Sequence, residues 1–370
     1  MENIQKNRLE KVQALMARHN LDAVLVSNCA LGNWNAWLKA AKSIPLHLPY
    51  NRNNLCLVTK NGALSEYCAR TPHPTDWLKY PVITELDLSE TLQKARIGLV
   101  NPTYLKRVVR DNMIEKYGVE FMDVSDEFHL LKTVKDPEEV EGIAAAVRGH
   151  ERAFTAVPLA LTGEHTEREI AVTLRNRIRE LGAECEDLQT SIILRMTSAP
   201  DGAASVPEPL PYPGRRVTYG DRVNVQVNGF MPGGYASALG RCYVIGKPSE
   251  EAQKYWDLAV KAQHLIAENA RPGATVAGLM ALFEKEILAP NGLKPDNGNQ
   301  VYGIGVSVFE APRNVDSTGK LPLEAGMTLV VAPKIVPAGK DPYCCADVYV
   351  VTDGGAKRLG KSPQELIVLD

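Results

Sequence analysis

The second half of this 370-residue chain repeats itself, and the repeat constrains the fold more than any other feature. Residues 140–245 read as a long helix, a break, a shorter helix and then strands, and residues 250–352 read the same way. The start signals are local. Asp136 is an N-cap candidate, Pro137 suits the first helical position, and Glu138 and Glu139 supply acid to the first turn, so a helix is expected to about Ala156. Thr166-Glu167-Arg168-Glu169 is a capping box that opens a second helix to Leu181. Ser249-Glu250-Glu251 opens the matching long helix, to about Asn269; the segment from Arg271 to Thr275 breaks it, and Val276–Leu288 is helical again. Strands are expected at Gln189–Met196, Arg222–Val227, Tyr235–Ile245, Gly305–Phe309, Thr328–Ala332 and Asp347–Thr352, and the loop 199–214 holds five prolines. Two such halves pack as one curved sheet with helices outside, leaving a pocket on the concave face.

The chain is too long for one ordinary core, and its first part follows another pattern. Leu9, Val12, Leu15 and Met16 recur at helical spacing, so a helix is expected over 4–19. Strands are expected at 21–27, 55–59, 64–69, 97–100 and 119–124, with a helix over 103–116. Strands alternating with helices make an α/β domain that ends near residue 130.

Composition removes several functions. The formal net charge is −2 with both signs spread along the chain, so nucleic acid is not an expected partner. No apolar run reaches the ~18 residues of a membrane span. The seven cysteines are irregularly spaced with no CxxC, and the segment from Met1 to Arg8 lacks the apolar stretch of a secretory signal. A reduced, cytoplasmic protein is the expectation.

Several segments, in this order, resemble the creatinase/prolidase/aminopeptidase P family: Arg8 to Val26, Leu131 to Val140, Arg271 to Thr275, Pro322 to Met327 and Val350 to Gly354. The resemblance covers nearly the whole chain. It implies a creatinase/prolidase-type α/β N-terminal domain over 1–130, an α+β pita-bread domain over 131–370, and a homodimer. The family's peptidases hold two divalent cations with two Asp, one His and two Glu, the anionic oxygen and imidazole donors that such cations require. The matching positions carry Gln226, Ala238, Tyr302, Ala332 and Ala346, and the second family histidine, beside substrate, is matched by Phe309. No metal or other cofactor is expected on this set. Creatinase, a metal-independent relative, also has alanine at the Ala238 position, but its glutamate and catalytic histidine are matched here by Gly240 and Ala204.

Glu310 matches the family glutamate beside the second histidine and is the candidate general acid or base, against a structural role as hydrogen-bond acceptor. Gln226, Asn228, Tyr235, Ser237, Arg241, Tyr302 and Lys334 are candidates for a polar pocket floor, with Ala238, Phe309, Ala332, Cys344 and Ala346 lining it. Cys344 and Cys345 point to opposite faces if they lie in a strand, so at most one reaches the pocket. His150 and His165 read as surface or internally satisfied histidines. Arg52 resembles an arginine with which creatinase contacts the substrate carboxylate, against a plain exposed arginine; Trp34 and Trp37 read as core aromatics rather than a lid.

Three functions compete. The first, placed ahead because the pocket is refilled with polar groups, is a metal-independent hydrolase or lyase acting on a small polar C–N-containing molecule. The second is a catalytically inactive pseudopeptidase that binds a small molecule. The third is an Xaa-Pro dipeptidase or aminopeptidase P.

Overall fold

The computed structural model describes residues 2–27, 37, 54–62, 64–68, 92–105, 107–162, 164–181, 192–200, 215–231 and 233–370. They divide into two compact units, Met1–Lys132 and Thr133–Asp370. Arg52, Trp34 and Ala204 lie outside the described residues.

The first unit opens with α1 (Glu2–His19) and builds a five-stranded sheet from β1 (Ala23–Ser27), β2 (Asn54–Thr59), β3 (Leu64–Cys68), β4 (Arg96–Val100) and β5 (Glu120–Asp123), in the order β3-β2-β1-β4-β5. β1 runs parallel to β4 and antiparallel to β2. Helices α2 (Arg107–Tyr117) and α3 (Ser125–Leu130) follow among the described residues. Trp37 is a core residue: it is buried, stacks edge-on against Phe128, and its carbonyl accepts from Arg8 Nη1 at 2.6 Å.

The second unit carries the repeat. Its first half runs α4 (Pro137–Phe154), α5 (Val157–Leu161), α6 (Glu167–Glu180), β6 (Ile192–Pro200), β7 (Asp221–Phe230) and β8 (Ala236–Ile245). Its second half runs α7 (Glu250–Asn269), α8 (Val276–Phe283), β9 (Val301–Gly303), β10 (Glu310–Arg313), β11 (Thr328–Val331), β12 (Lys334–Ile335), β13 (Tyr343–Cys344), β14 (Asp347–Thr352), β15 (Gly355–Arg358) and β16 (Ile367–Leu369). The halves reuse one device. Thr166 caps α6 by accepting from Glu169 N and bridges Arg216 ahead of β7; Thr275 caps α8 by accepting from Gly278 N and bridges Pro322 ahead of β11. Each cap therefore fixes a helix start to the lead-in of a strand.

The sheets run β16-β8-β7-β6 and β10-β9-β11-β14-β15, with β12 and β13 paired apart. They are sewn together where Gly240 and Ala346 exchange backbone hydrogen bonds of 3.0 and 3.2 Å. One face of each half-sheet meets its helices. Val223, Val225, Val227 and Leu239 pack with Ile170, Leu174 and Ile178, whereas Leu329, Val331, Tyr349 and Val351 pack with Trp256, Ile266 and Phe283. This is the curved sheet backed by helices that the repeat implies, the pita-bread architecture.

One expected strand is not formed. Residues 304–309 turn between β9 and β10: Gly305 N donates to Ser307 O and Ser307 N donates to Glu310 Oε1, both at 3.1 Å. Gly303 sits so close to the Ala311 backbone that a Cβ there would lie 2.3 Å from the Ala311 oxygen. This contact brings β10 back against β9, and a turn stands in place of the strand expected at Gly305–Phe309.

Candidate functional site

Because successive side chains of a strand alternate in direction, the face opposite the helices is set by register. On β7 it carries Asn224, Gln226 and Asn228. Gln226 pairs with Gly240 and Asn228 with Ala238 on β8, so Ala238 shares that face. The Gly240–Ala346 bridge brings Ala346 to it. Across the seam, Tyr302 of β9 pairs with Val330, the neighbour that faces away from the helices. Ala332 follows two residues later, and its carbonyl accepts from Cys344 Sγ at 3.5 Å. Gln226, Ala238, Tyr302, Ala332 and Ala346, scattered over 121 residues, are thus brought onto one concave face.

The side chains at the five expected ligand positions carry no charge. Tyr302, 2% exposed, reaches the first half-sheet, where its hydroxyl accepts from Asn228 Nδ2 at 2.9 Å. The ring of half-buried Phe309 lies 5.0 Å from that of Tyr302, tilted by 50°. The face is closed at one end by Arg222, whose guanidinium stacks 3.9 Å from the Tyr343 ring. Cys344 lies on the concave side and Cys345 points behind it, where burial pushes its thiol pKa well up and leaves it protonated.

Three of the residues expected in the pocket floor sit on the other side of the sheet. The Tyr235 ring packs directly on Gly142 of α4, where an added Cβ would come within 2.4 Å of it. Ser237 is buried and its hydroxyl lies 2.5 Å from His150 Nδ1. Arg241 donates to Asp347 Oδ1 (2.8 Å), to Ala346 O (3.2 Å) and to Pro363 O (2.6 Å), binding the C-terminal segment to the seam. The reason is alternation: with Ala238 turned to the cleft, Ser237 and its odd-numbered neighbours must face the helices. Lys334 is held by Asp296, Nζ to Oδ1 at 3.0 Å.

Glu310 is engaged at both oxygens. Oε2 accepts from Lys135 Nζ at 2.9 Å and Oε1 from Ser307 N; the two charged side chains are 2% and 3% exposed. A carboxylate held this way fixes the 304–309 turn, with both oxygens engaged inside the protein.

These side chains do not fit a pair of divalent cations. Ala238, Ala332 and Ala346 present methyl groups, Gln226 a neutral carboxamide, and Tyr302 is hydrogen-bonded across the cleft. Hard cations need several anionic oxygens within ~2.6 Å. Among the described residues no three His, Cys, Asp or Glu side chains gather where they would hold a metal ion.

Fold and site together define a two-domain protein with a creatinase/prolidase-type N-terminal domain and a pita-bread domain. The sequence profile of the metallopeptidase family M24 matches residues 141–353, more than half of the chain, and the chain belongs to that family. It is 29% identical over 260 residues to the Xaa-Pro dipeptidase of Pyrococcus furiosus, covering 70% of this chain and 72% of that one. It is 28% identical over 258 residues to the probable dipeptidase PepE of Mycobacterium tuberculosis, covering 70% and 66%. The crystal structure of the prolidase from Pyrococcus horikoshii superposes with a TM-score of 0.78 at 23% identity, over 98% of this chain and all of that one. These names overturn the expectation of a creatinase-like hydrolase or lyase of small C–N compounds: the relatives are dipeptidases. The geometry offers that chemistry nothing either, because Ser237 and Arg241 face away from the cleft and Glu310 is locked in an ion pair.

Proposed function

We propose that this chain is a prolidase-type member of family M24 that recognises Xaa-Pro dipeptides, holding them at a hydrogen-bonded face that lacks anionic metal ligands instead of hydrolysing them between two metal ions. The ligand class is supported by the relatives' names and by the extent of the match. The mode of action is supported by one observation: the five residues at the family's ligand positions converge on one face, none is anionic, and Tyr302 closes across them onto Asn228. Two-metal hydrolysis depends on an activated water and a Lewis acid, and this donor set would hold neither cation.

The test combines calorimetric titration with Ala-Pro, proline release, and metal analysis after dialysis against manganese, cobalt or zinc. Saturable Ala-Pro binding is expected, with no proline released and less than one equivalent of metal retained. Two equivalents per chain together with Ala-Pro turnover would overturn this assignment.

We further propose a cytoplasmic homodimer. The seven cysteines are irregularly spaced with no CxxC, which suits a reducing compartment, and among the described residues no helix is long and apolar enough to cross a membrane. Light scattering at micromolar concentration should return twice the 40.5 kDa chain mass; the monomer mass would refute the dimer.

A further inference from the structure

One polar atom on the concave face is left without a partner. Asn228 is 6% exposed, its Nδ2 donates to the Tyr302 hydroxyl, and its Oδ1 makes no hydrogen bond. Buried carbonyl oxygens are normally satisfied, so an orphan of this kind marks a place where a donor arrives. Its surroundings define the donor. Tyr302 stands beside it, and the Tyr302 and half-buried Phe309 rings pack into a corner, 5.0 Å between centroids and 50° between planes. Among the described residues, Glu310 is paired with Lys135, and Arg313, 5.9 Å from the Phe309 centroid, with Asp316 at 3.3 Å. An amide oxygen accepts N–H donors, and ring faces attract cations while packing against apolar carbon.

We propose that Asn228 Oδ1 and the Tyr302–Phe309 corner form a subsite for a protonated amine carried on an apolar or cyclic body, and that in an Xaa-Pro ligand this group is the dipeptide's N-terminal ammonium. The second clause rests on the Xaa-Pro reading; the first does not. The resemblance matches Tyr302 to a metal-binding histidine and Phe309 to the histidine beside substrate. Here a carbonyl dipole and two rings offer the attraction for positive charge, which selects for the amine without requiring a carboxylate in the site. Neutralising the amine removes both the charge felt by the rings and the N–H donors.

The experiment titrates the full chain with four probes: Ala-Pro, N-acetyl-Ala-Pro, Ala-Pro amide and pyrrolidinium chloride. Acetylation of the amine is expected to weaken binding about tenfold or more, the loss of a charge-assisted hydrogen bond and a cation–ring contact. Amidation of the carboxylate should have a smaller effect, and pyrrolidinium should bind and compete with Ala-Pro. Asn228→Leu should lose this discrimination, and so should Phe309→Leu, whose half-buried position makes it the safer variant for folding. Equal affinity for Ala-Pro and N-acetyl-Ala-Pro would overturn the subsite, as would amidation proving the costlier change, since an amide presenting its N–H to the cleft would bind a carboxylate instead. Pyrrolidinium binding without Ala-Pro binding would remove the Xaa-Pro reading and leave the subsite standing. Ala-Pro binding that acetylation does not weaken would do the reverse, and binding of none of the four would overturn both.

Discussion

At the scale of single residues, much of what the site is made of follows from partners far away in sequence. Glu310 could be matched to a family position from its flanking residues, but its role depends on Lys135, 175 residues earlier. His150 shows the same dependence. It is fully buried in α4, with Nδ1 against Ser237 and Nε2 without a partner. Desolvation penalises the imidazolium, and the pKa is lowered from 6.5 to about 4. The sign follows directly: folding favours the neutral ring, so the stabilisation is complete above pH 6.5 and is lost as pH falls toward 4. Across that interval the loss amounts to about 3 kcal/mol. Urea unfolding at a series of pH values should show the midpoint falling between pH 6.5 and 4, with a His150→Leu variant losing less over the same range. A wild-type curve as flat as the variant's would mean that this histidine does not titrate on unfolding.

At the scale of elements, helix starts were the easiest features to read, because capping is a local arrangement. Asp136, Thr166, Ser249 and Thr275 all stand at the N-caps of helices. Strand faces were equally readable in principle. Once Ala238 is assigned to the cleft, period 2 excludes Tyr235, Ser237 and Arg241 from it, and gathering all the polar residues of the segment into one pocket ignored that rule. The turn at 304–309 was not readable, since its β-branched and apolar composition suits a strand and only the approach of the Ala311 backbone to Gly303 bends it. Gly240 gives a test of the seam between the two half-sheets. A Cβ built there lies 2.9 Å from the Ala346 Cβ and 3.5 Å from the Cys344 oxygen, inside a bridge of paired backbone hydrogen bonds. Gly240→Ala should therefore cost about 1–3 kcal/mol by overpacking, visible as a lower thermal midpoint. An unchanged midpoint would show that the seam opens freely at this position.

At the scale of the whole molecule, the sequence by itself determined the two-part organisation, the internal repeat and the family. Each of these rests on local signals in a fixed order: caps, periodicities and short segments that survive without knowledge of contacts. It also determined that Gln226, Ala238, Tyr302, Ala332 and Ala346 are not anionic, since that is a matter of residue identity. Only the tertiary structure decided what those positions became. Register carries Gln226, Ala238, Tyr302, Ala332 and Ala346 to one face, and the reach of Tyr302 across the seam makes a hydrogen-bonded wall there with one unsatisfied carbonyl on Asn228. Such a contact joins residues 74 positions apart, and its existence depends on how two half-sheets meet. No local pattern encodes that meeting, because the energy that fixes it comes from the packing of each half-sheet on its own helices.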